Sequence, residues 1–216
     1  MCHLKVSATV TLLSLAARAA AQLRPGFQWG WGDIGSQRSF EECQTLSVVI
    51  ESLDAEDASA LGVAPYYMLA FEAGGVSTTS MIGFDPKNLW WQANHKRGSS
   101  LILTIVDSNG STGGVPQPLY SVTAGSNTSC LQSVPSSPAV VHANVSDTIS
   151  TCDPLGLTVT GGQKPYTIVL AETHSDTITT VTLSENDDTL TYISRVDPDW
   201  QLIGERRLIY CRSFQC

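Results

Sequence analysis

A strand-like motif that recurs one hundred positions along the chain constrains the fold more than any other feature. Pro65 and Tyr66 open the segment PYYMLAF, and Pro165 and Tyr166 open PYTIVLA. Other pairs keep nearly the same offset: Thr78 and Thr79 fall against Thr179 and Thr180, Trp91 against Tyr192, and Leu101 and Ile102 against Leu202 and Ile203. Cys43 and Cys152 each precede an apolar run at a longer offset, which makes residues 51–61 (ESLDAEDASAL) an insertion in the first copy. A register shared by so many segments predicts one fold used twice. The alternative is a single larger β-sandwich with coincidental similarity.

Short runs rich in Val, Ile, Thr and Tyr alternate with clusters of Gly, Pro, Asn and Asp, and no long helical periodicity follows residue 22. That pattern predicts an all-β protein. Strands are expected at 45–52, 66–72, 78–82, 88–93, 100–107 and 119–124 in the first copy, and at 140–145, 157–160, 166–171, 177–183 and 189–194 in the second. The turns between them have physical causes. Asp85 before Pro86 and Asp197 before Pro198 pair a side-chain acceptor with a fixed φ, and Gly110, Gly161 and Gly162 tolerate positive φ. We therefore expect two tandem immunoglobulin-like β-sandwich domains, at 22–131 and 139–203, joined by a proline-bearing linker at 132–138. The second is expected to be incomplete, because it reaches only WQLI before an atypical tail at 204–216.

The first residues indicate export. Lys5 precedes an apolar run, and Ala19 and Ala21 fit a small-residue cleavage pattern, so residues 1–21 read as a signal peptide. The run is too short for a membrane anchor, which needs about 20 apolar residues. Asn109, Asn127 and Asn144 each begin an Asn-x-Ser/Thr sequon, as an exported glycoprotein would carry. Residues 22–203 hold 19 acidic and 7 basic side chains, a balance that argues against nucleic acid and anionic membranes as partners. Charged residues are 15% of the chain and hydrophobic ones 42%, which favours a packed β core over disorder.

Beyond Cys2, five cysteines remain, an odd number for an exported chain. Cys43 and Cys130 bracket the first copy and are expected to pair. By the logic of the repeat, the partner of Cys152 is expected beyond the end of this chain, which leaves the pairing of Cys152, Cys211 and Cys216 open. Cys211 and Cys216 form a C-x₄-C pair, but no second pair and no nearby histidine completes a zinc set.

Several longer segments carry a resemblance: LGVAPYYMLAFEAGG, TTSMIGFDPKNLWWQANHKRGSSLILTIVDSNGSTGGVP, CDPLGLTVTGGQKPYTIVLAE and DDTLTYISRVDPDWQLI. Over residues 27–203 the chain resembles a group of secreted or single-pass surface proteins of basidiomycete fungi. A fainter likeness is to the small immunoglobulin-like domain of fungal cell-wall glucan-assembly proteins. The first resemblance implies a further strand after the second copy, often followed by a transmembrane helix, and it implies no activity and no catalytic residues. No membrane span is expected in this chain itself. The likeness ends at Ile203, so residues 204–216 are expected to be translated intron or a shifted frame, with a short isoform as the alternative.

Chemistry is sparse. His95, His142 and His174 lie outside any metal-ligand pattern and read as surface or loop residues. No G-x-S-x-G segment marks a nucleophile. The acidic pairs Glu41 with Glu42 and Asp187 with Asp188 are adjacent residues, whose side chains on a strand point apart. Asp197 and Asp199 could contribute to a calcium site, but no EF-hand-like ligand series accompanies them. We expect no catalytic residue, no metal and no cofactor. Trp90 and Trp91 are adjacent and must face opposite ways on a strand. Trp91 is expected in the core, by its match to Tyr192. Trp90 would face outward and could stack on a sugar ring, although packing beneath the N-terminal GFQWGWG segment is the preferred reading. The chain therefore reads as a non-enzymatic surface or secreted ectodomain of a fungus. Its expected partner is another surface protein or a cell-wall polysaccharide, the latter in the alternative reading as a carbohydrate-binding module.

Overall fold

Wherever β-branched and aromatic residues alternate with polar ones, the chain extends and pairs. The computed structural model describes residues 26–53, 60–131, 133, 137–195, 201–204 and 207–211, with side chains excluded at 204 and 207–211. The signal-peptide reading, Asp197, Asp199 and Cys216 fall outside this set. Sixteen strands form among the described residues. The first eight are β1 (Gln28–Trp31), β2 (Ser39–Glu41), β3 (Thr45–Glu51), β4 (Tyr66–Glu72), β5 (Thr78–Gly83), β6 (Leu89–Gln92), β7 (Ser100–Val106) and β8 (Tyr120–Thr123). The next eight are β9 (Val140–Ala143), β10 (Thr148–Ile149), β11 (Pro154–Thr160), β12 (Thr167–Glu172), β13 (Ile178–Thr182), β14 (Thr189–Ile193), β15 (Gln201–Gly204) and β16 (Arg207–Cys211).

Each set of eight divides into the same two sheets. The first set gives a three-stranded sheet in the order β1-β3-β6 and a five-stranded sheet in the order β2-β8-β7-β4-β5. The second gives β9-β11-β14 and β10-β16-β15-β12-β13, which is the same order strand for strand. In both, the short second strand runs parallel to the last one, and the other pairs are antiparallel. These are two β-sandwiches of the immunoglobulin-like kind. Trp91 fills the first core from β6, and the disulfide lies at one end of the sandwich rather than between facing strands.

The registers give the repeat its physical content. Leu46 pairs with Trp91 on β3 and β6, and Leu155 pairs with Tyr192 on β11 and β14. Glu72 faces Leu101 across β4 and β7, and Glu172 faces Leu202 across β12 and β15. The Tyr66 hydroxyl donates to the Leu61 carbonyl at 2.9 Å, and the Tyr166 hydroxyl donates to the Gly161 carbonyl at 2.7 Å. Cys43 and Cys152 both take positive φ, 57° and 71°, each in a tight turn ahead of β3 or β11.

Two expectations are corrected. The second sandwich does not lack its last strands: β15 extends to Gly204, and β16, in the tail, pairs with β10 and β15 as β8 pairs with β2 and β7. RLIYC is an apolar, β-branched segment after a short connection, so it closes a hairpin on β15. Nor does Cys152 wait for a partner beyond the chain. It is disulfide-bonded.

Three apolar clusters form among the described residues. One lies inside each sandwich, around Trp91, Tyr66 and Met68 in the first and around Leu155, Leu157 and Leu170 in the second. The third lies between the sandwiches. Phe71 of β4 and Ile102 of β7 meet Ala171 of β12 and Ile203 of β15, with Val115 from the β7–β8 connection. The five-stranded sheets therefore stack back to back, and the Val115 amide donates to the Ser175 carbonyl across the junction at 2.7 Å.

Trp91 is 1% exposed, whereas Trp90 is 51% exposed. Trp91→Ala should cost about 3–5 kcal/mol in urea unfolding, and Trp90→Ala should stay within about 0.5 kcal/mol. Cys43 and Cys130 are bonded across 87 residues. The chain-entropy model gives such a loop roughly 4–5 kcal/mol, so a Cys43→Ser, Cys130→Ser double variant should unfold at markedly lower urea.

Candidate functional site

Trp90 sits on the outer face of the β1-β3-β6 sheet. Its register partner is Ser47, and Gln92, Val49 and Glu51 share that face. The indole Nε1–H donates to Asn88 Oδ1 at 2.9 Å, which orients the ring from the preceding turn. That turn forms because Asp85 Oδ1 accepts the Lys87 amide at 3.0 Å. Packing of Trp90 beneath the N-terminal segment is corrected. Trp31 instead packs on Trp91, Phe40 and Tyr120, and Trp29 packs on Trp31. A period of two sends those N-terminal indoles inward, toward aromatic partners that extend the first core. Among the described residues, Trp90 is the sole aromatic on its sheet face, so the face is a single ring in polar surroundings rather than a row of rings.

A second cluster was not visible from motifs. His95 lies in the loop between β6 and β7, as the surface-or-loop reading allows, but it is buried there at 3% exposure rather than on the surface. Its Nδ1 donates to Glu72 Oε2 at 2.8 Å. Its Nε2 lies 3.0 Å from the Thr78 hydroxyl, within hydrogen-bond distance. The Ser99 hydroxyl donates to Glu72 Oε1 at 2.5 Å. Burial pushes the Glu72 carboxyl up, but hydrogen bonds from His95 and Ser99 and the charge of His95 outweigh it, and the net shift is downward. The order hydroxyl, imidazole, carboxylate is also that of a nucleophile, base and orienting acid. The second copy argues for an anchor instead. There Glu172 occupies the register position of Glu72, and it accepts from the Tyr192 hydroxyl at 3.1 Å. Burial and then the Glu172 charge push Tyr192 up to about 12, so it holds its proton and serves as a donor. A carboxylate kept in both copies through unlike donors ties strands together. The signal for it was present in the repeat, as a glutamate ending both β4 and β12.

Glu42 and its neighbour do point apart: Glu41 is exposed and Glu42 is 8% exposed. Glu42 accepts the Arg97 amide at 2.8 Å and the Gly125 amide at 3.3 Å, beside the Cys43–Cys130 bond. The Arg97 hydrogen bond is the largest influence on this carboxyl and holds it below the usual range. Asp187 and Asp188 are both exposed. The sequon residues Asn109, Asn127 and Asn144 are exposed on three separate stretches of surface. The Asn144 side chain accepts the Gly156 amide through Oδ1, and the Asn127 side chain caps Ser129 in the same way. Among the described residues, no helix is long and apolar enough to cross a membrane.

No family model matches the chain. No curated protein matches it either. Among solved structures, it is similar to the fibronectin(III)-like modules of CbhA from Clostridium thermocellum, with 9% identity and a TM-score of 0.25, over 86% of this chain and 94% of that one. The fold stands on the strand order and registers described above.

Folding lowers the pKa of Glu72, so its contribution is complete above the ordinary carboxylate range and is lost as pH falls through the lowered value. Urea midpoints should therefore drop below about pH 4. Glu72→Gln should be less stable than the parent at neutral pH and should show a shallower acid dependence, with Glu42 supplying what remains.

Proposed function

We propose that this chain is the exported, N-glycosylated, non-enzymatic ectodomain of a fungal surface protein, with a structural or interaction role. One observation carries the reading: two sandwiches are stacked back to back through their five-stranded sheets. The stacking places the two three-stranded sheets outermost. A module built this way is a rigid spacer with two outward faces, and its ionisable groups serve as ties between strands. The disulfide supports an oxidising destination, and exposure of the three sequon asparagines supports glycosylation. The fungal assignment rests on the segments quoted above, whose order resembles the basidiomycete group.

A second reading follows from Trp90, which is half exposed and oriented by Asn88 on a polar face. Such a ring suits stacking against a sugar, with Ser47 and Gln92 beside it as hydrogen-bonding groups. This would make the same ectodomain a binder of cell-wall polysaccharide.

The full chain expressed with its own N-terminus in a fungal host tests both readings. We expect recovery at the wall or in the medium, and a mass loss on endoglycosidase treatment that disappears in an Asn109→Gln, Asn127→Gln, Asn144→Gln variant. Retention inside the cell without glycan would overturn the first reading. Chitin and β-glucan pull-downs address the second: Trp90→Ala should abolish capture, and failure of the parent protein to bind either polymer removes that reading.

A further inference from the structure

The connection between β7 and β8 spans residues 107–119, whereas its counterpart between β15 and β16 spans only 205–206. The longer connection carries Val115 into the cluster between the sandwiches. It is tied first to its own sandwich. The buried Asp107 carboxylate accepts the Val63 and Ser111 amides at 2.8 Å and the Asn109 amide at 2.9 Å. The Gly26 amide donates to the Thr112 carbonyl at 3.0 Å. A Cβ at Gly113 would fall 2.6 Å from Phe27 Cε2 and 2.7 Å from Trp29 Cδ1, so only glycine lets the connection lie against both rings. The peptide group that joins Gly114 to Val115 then faces two ways. Its carbonyl accepts from the Trp29 indole Nε1–H at 3.0 Å and from the Thr104 hydroxyl at 2.8 Å, both in the first sandwich. Its N–H donates to the Ser175 carbonyl, between β12 and β13 of the second sandwich, at 2.7 Å. A peptide group is planar, so two donors that fix its carbonyl also fix the direction of its N–H.

We propose that this peptide group is a latch through which the N-terminal strand β1 controls the junction between the sandwiches. While the Trp29 indole holds the carbonyl, the N–H is aimed at Ser175, and release of β1 loosens this edge of the junction. The proposal rests on the reading of the molecule as a rigid spacer, and it names a contact that governs the rigidity. β1 suits the role because it is an edge strand, paired with β3 alone. A partner or a protease that engages the N-terminal segment can detach it without opening the middle of a sheet. Gly114 takes a φ of 80°, a conformation that favours glycine, and a Cβ there would lie 3.6 Å from the Ser175 carbonyl oxygen.

Hydrogen exchange in the full-length protein, read by NMR at single groups, tests the latch. The Ala93 amide, bonded to the Gln44 carbonyl, and the Val159 amide, bonded to the Asp188 carbonyl, each report on one sandwich alone. In the parent protein the Val115 amide should be protected. Trp29→Phe removes the indole N–H and keeps an aromatic ring, and Thr104→Val removes the second donor at similar shape. Each should speed Val115 exchange by roughly threefold to tenfold and leave Ala93 and Val159 unchanged. Coupling of this kind must also run in reverse. Ile203→Val trims the junction from the second sandwich, and it should speed exchange of the Trp29 indole N–H by roughly twofold to tenfold. Chemical-shift dispersion, recorded in parallel, identifies any variant that has lost its fold. An unprotected Val115 amide in the parent overturns the rigid-spacer reading together with the latch. With a protected parent, the latch alone is overturned by unchanged Val115 exchange in a folded Trp29→Phe or Thr104→Val variant, by equal acceleration at all three amides, or by an unmoved Trp29 indole in folded Ile203→Val.

Discussion

A strand that is apolar on both faces has to be covered on both sides, and the architecture of this protein depends on that constraint. In β7 the run LILTIV is buried almost throughout. Its Leu101, Leu103 and Ile105 enter the first core, while Ile102 faces the other way. β4 behaves alike, with Met68 and Ala70 inward and Phe71 outward. A lone sandwich would leave Phe71 and Ile102 in water. The second sandwich removes them from it with its own equivalent positions, Ala171 and Ile203. The same patch of one fold thus meets its counterpart on the other, as in an isologous dimer, but within one chain. The outermost strands show the complementary pattern. β3 and β11 share the burial sequence of a strand with one wet face.

The two copies share a frame and differ in how they secure it. Both place a glutamate at the end of β4 or β12 and both hold it with side-chain donors, yet one copy uses His95 and Ser99 and the other Tyr192. A partly buried carboxylate needs donors to offset its lost hydration, and several side chains can provide them. The requirement is therefore kept while the residues that meet it change. Apolar positions are less free, because they must fill a given volume at a given register. This explains why Leu46 with Trp91 and Leu155 with Tyr192 remain large pairs across β3–β6 and β11–β14.

The elements that could be read from sequence were those with strong local character. TLSVVIE and LILTIV announce strands by composition alone, and their observed limits fall within a residue of expectation. β1 escaped notice because QWGW carries a glycine and no β-branched residue. β2 and β10 escaped because three and two residues are too few for a period to show. β16 was set aside for a different reason: the tail differs in charge from the body and leaves the resemblance at Ile203, although RLIYC is a good strand on its own terms. The candidate site divides in the same way. Opposite facing of Trp90 and Trp91 follows from strand geometry, but the ring that covers Trp91 comes from Trp31, sixty positions away. Nothing near His95 in sequence signals that Glu72 and Thr78 will enclose it.

By itself the sequence determined the β class, the places of most strands, the doubling of the fold and the pairing expected for Cys43 and Cys130. These follow from local alternation, turn chemistry and spacing, which are properties of short stretches of chain. Only the tertiary structure decided that the two sandwiches stack through their five-stranded sheets, that β16 joins the second of them and that Cys152 is bonded. Each of these depends on which distant strands become neighbours. That outcome is set by the burial of whole faces and the closing of sheet edges, and no local pattern carries it.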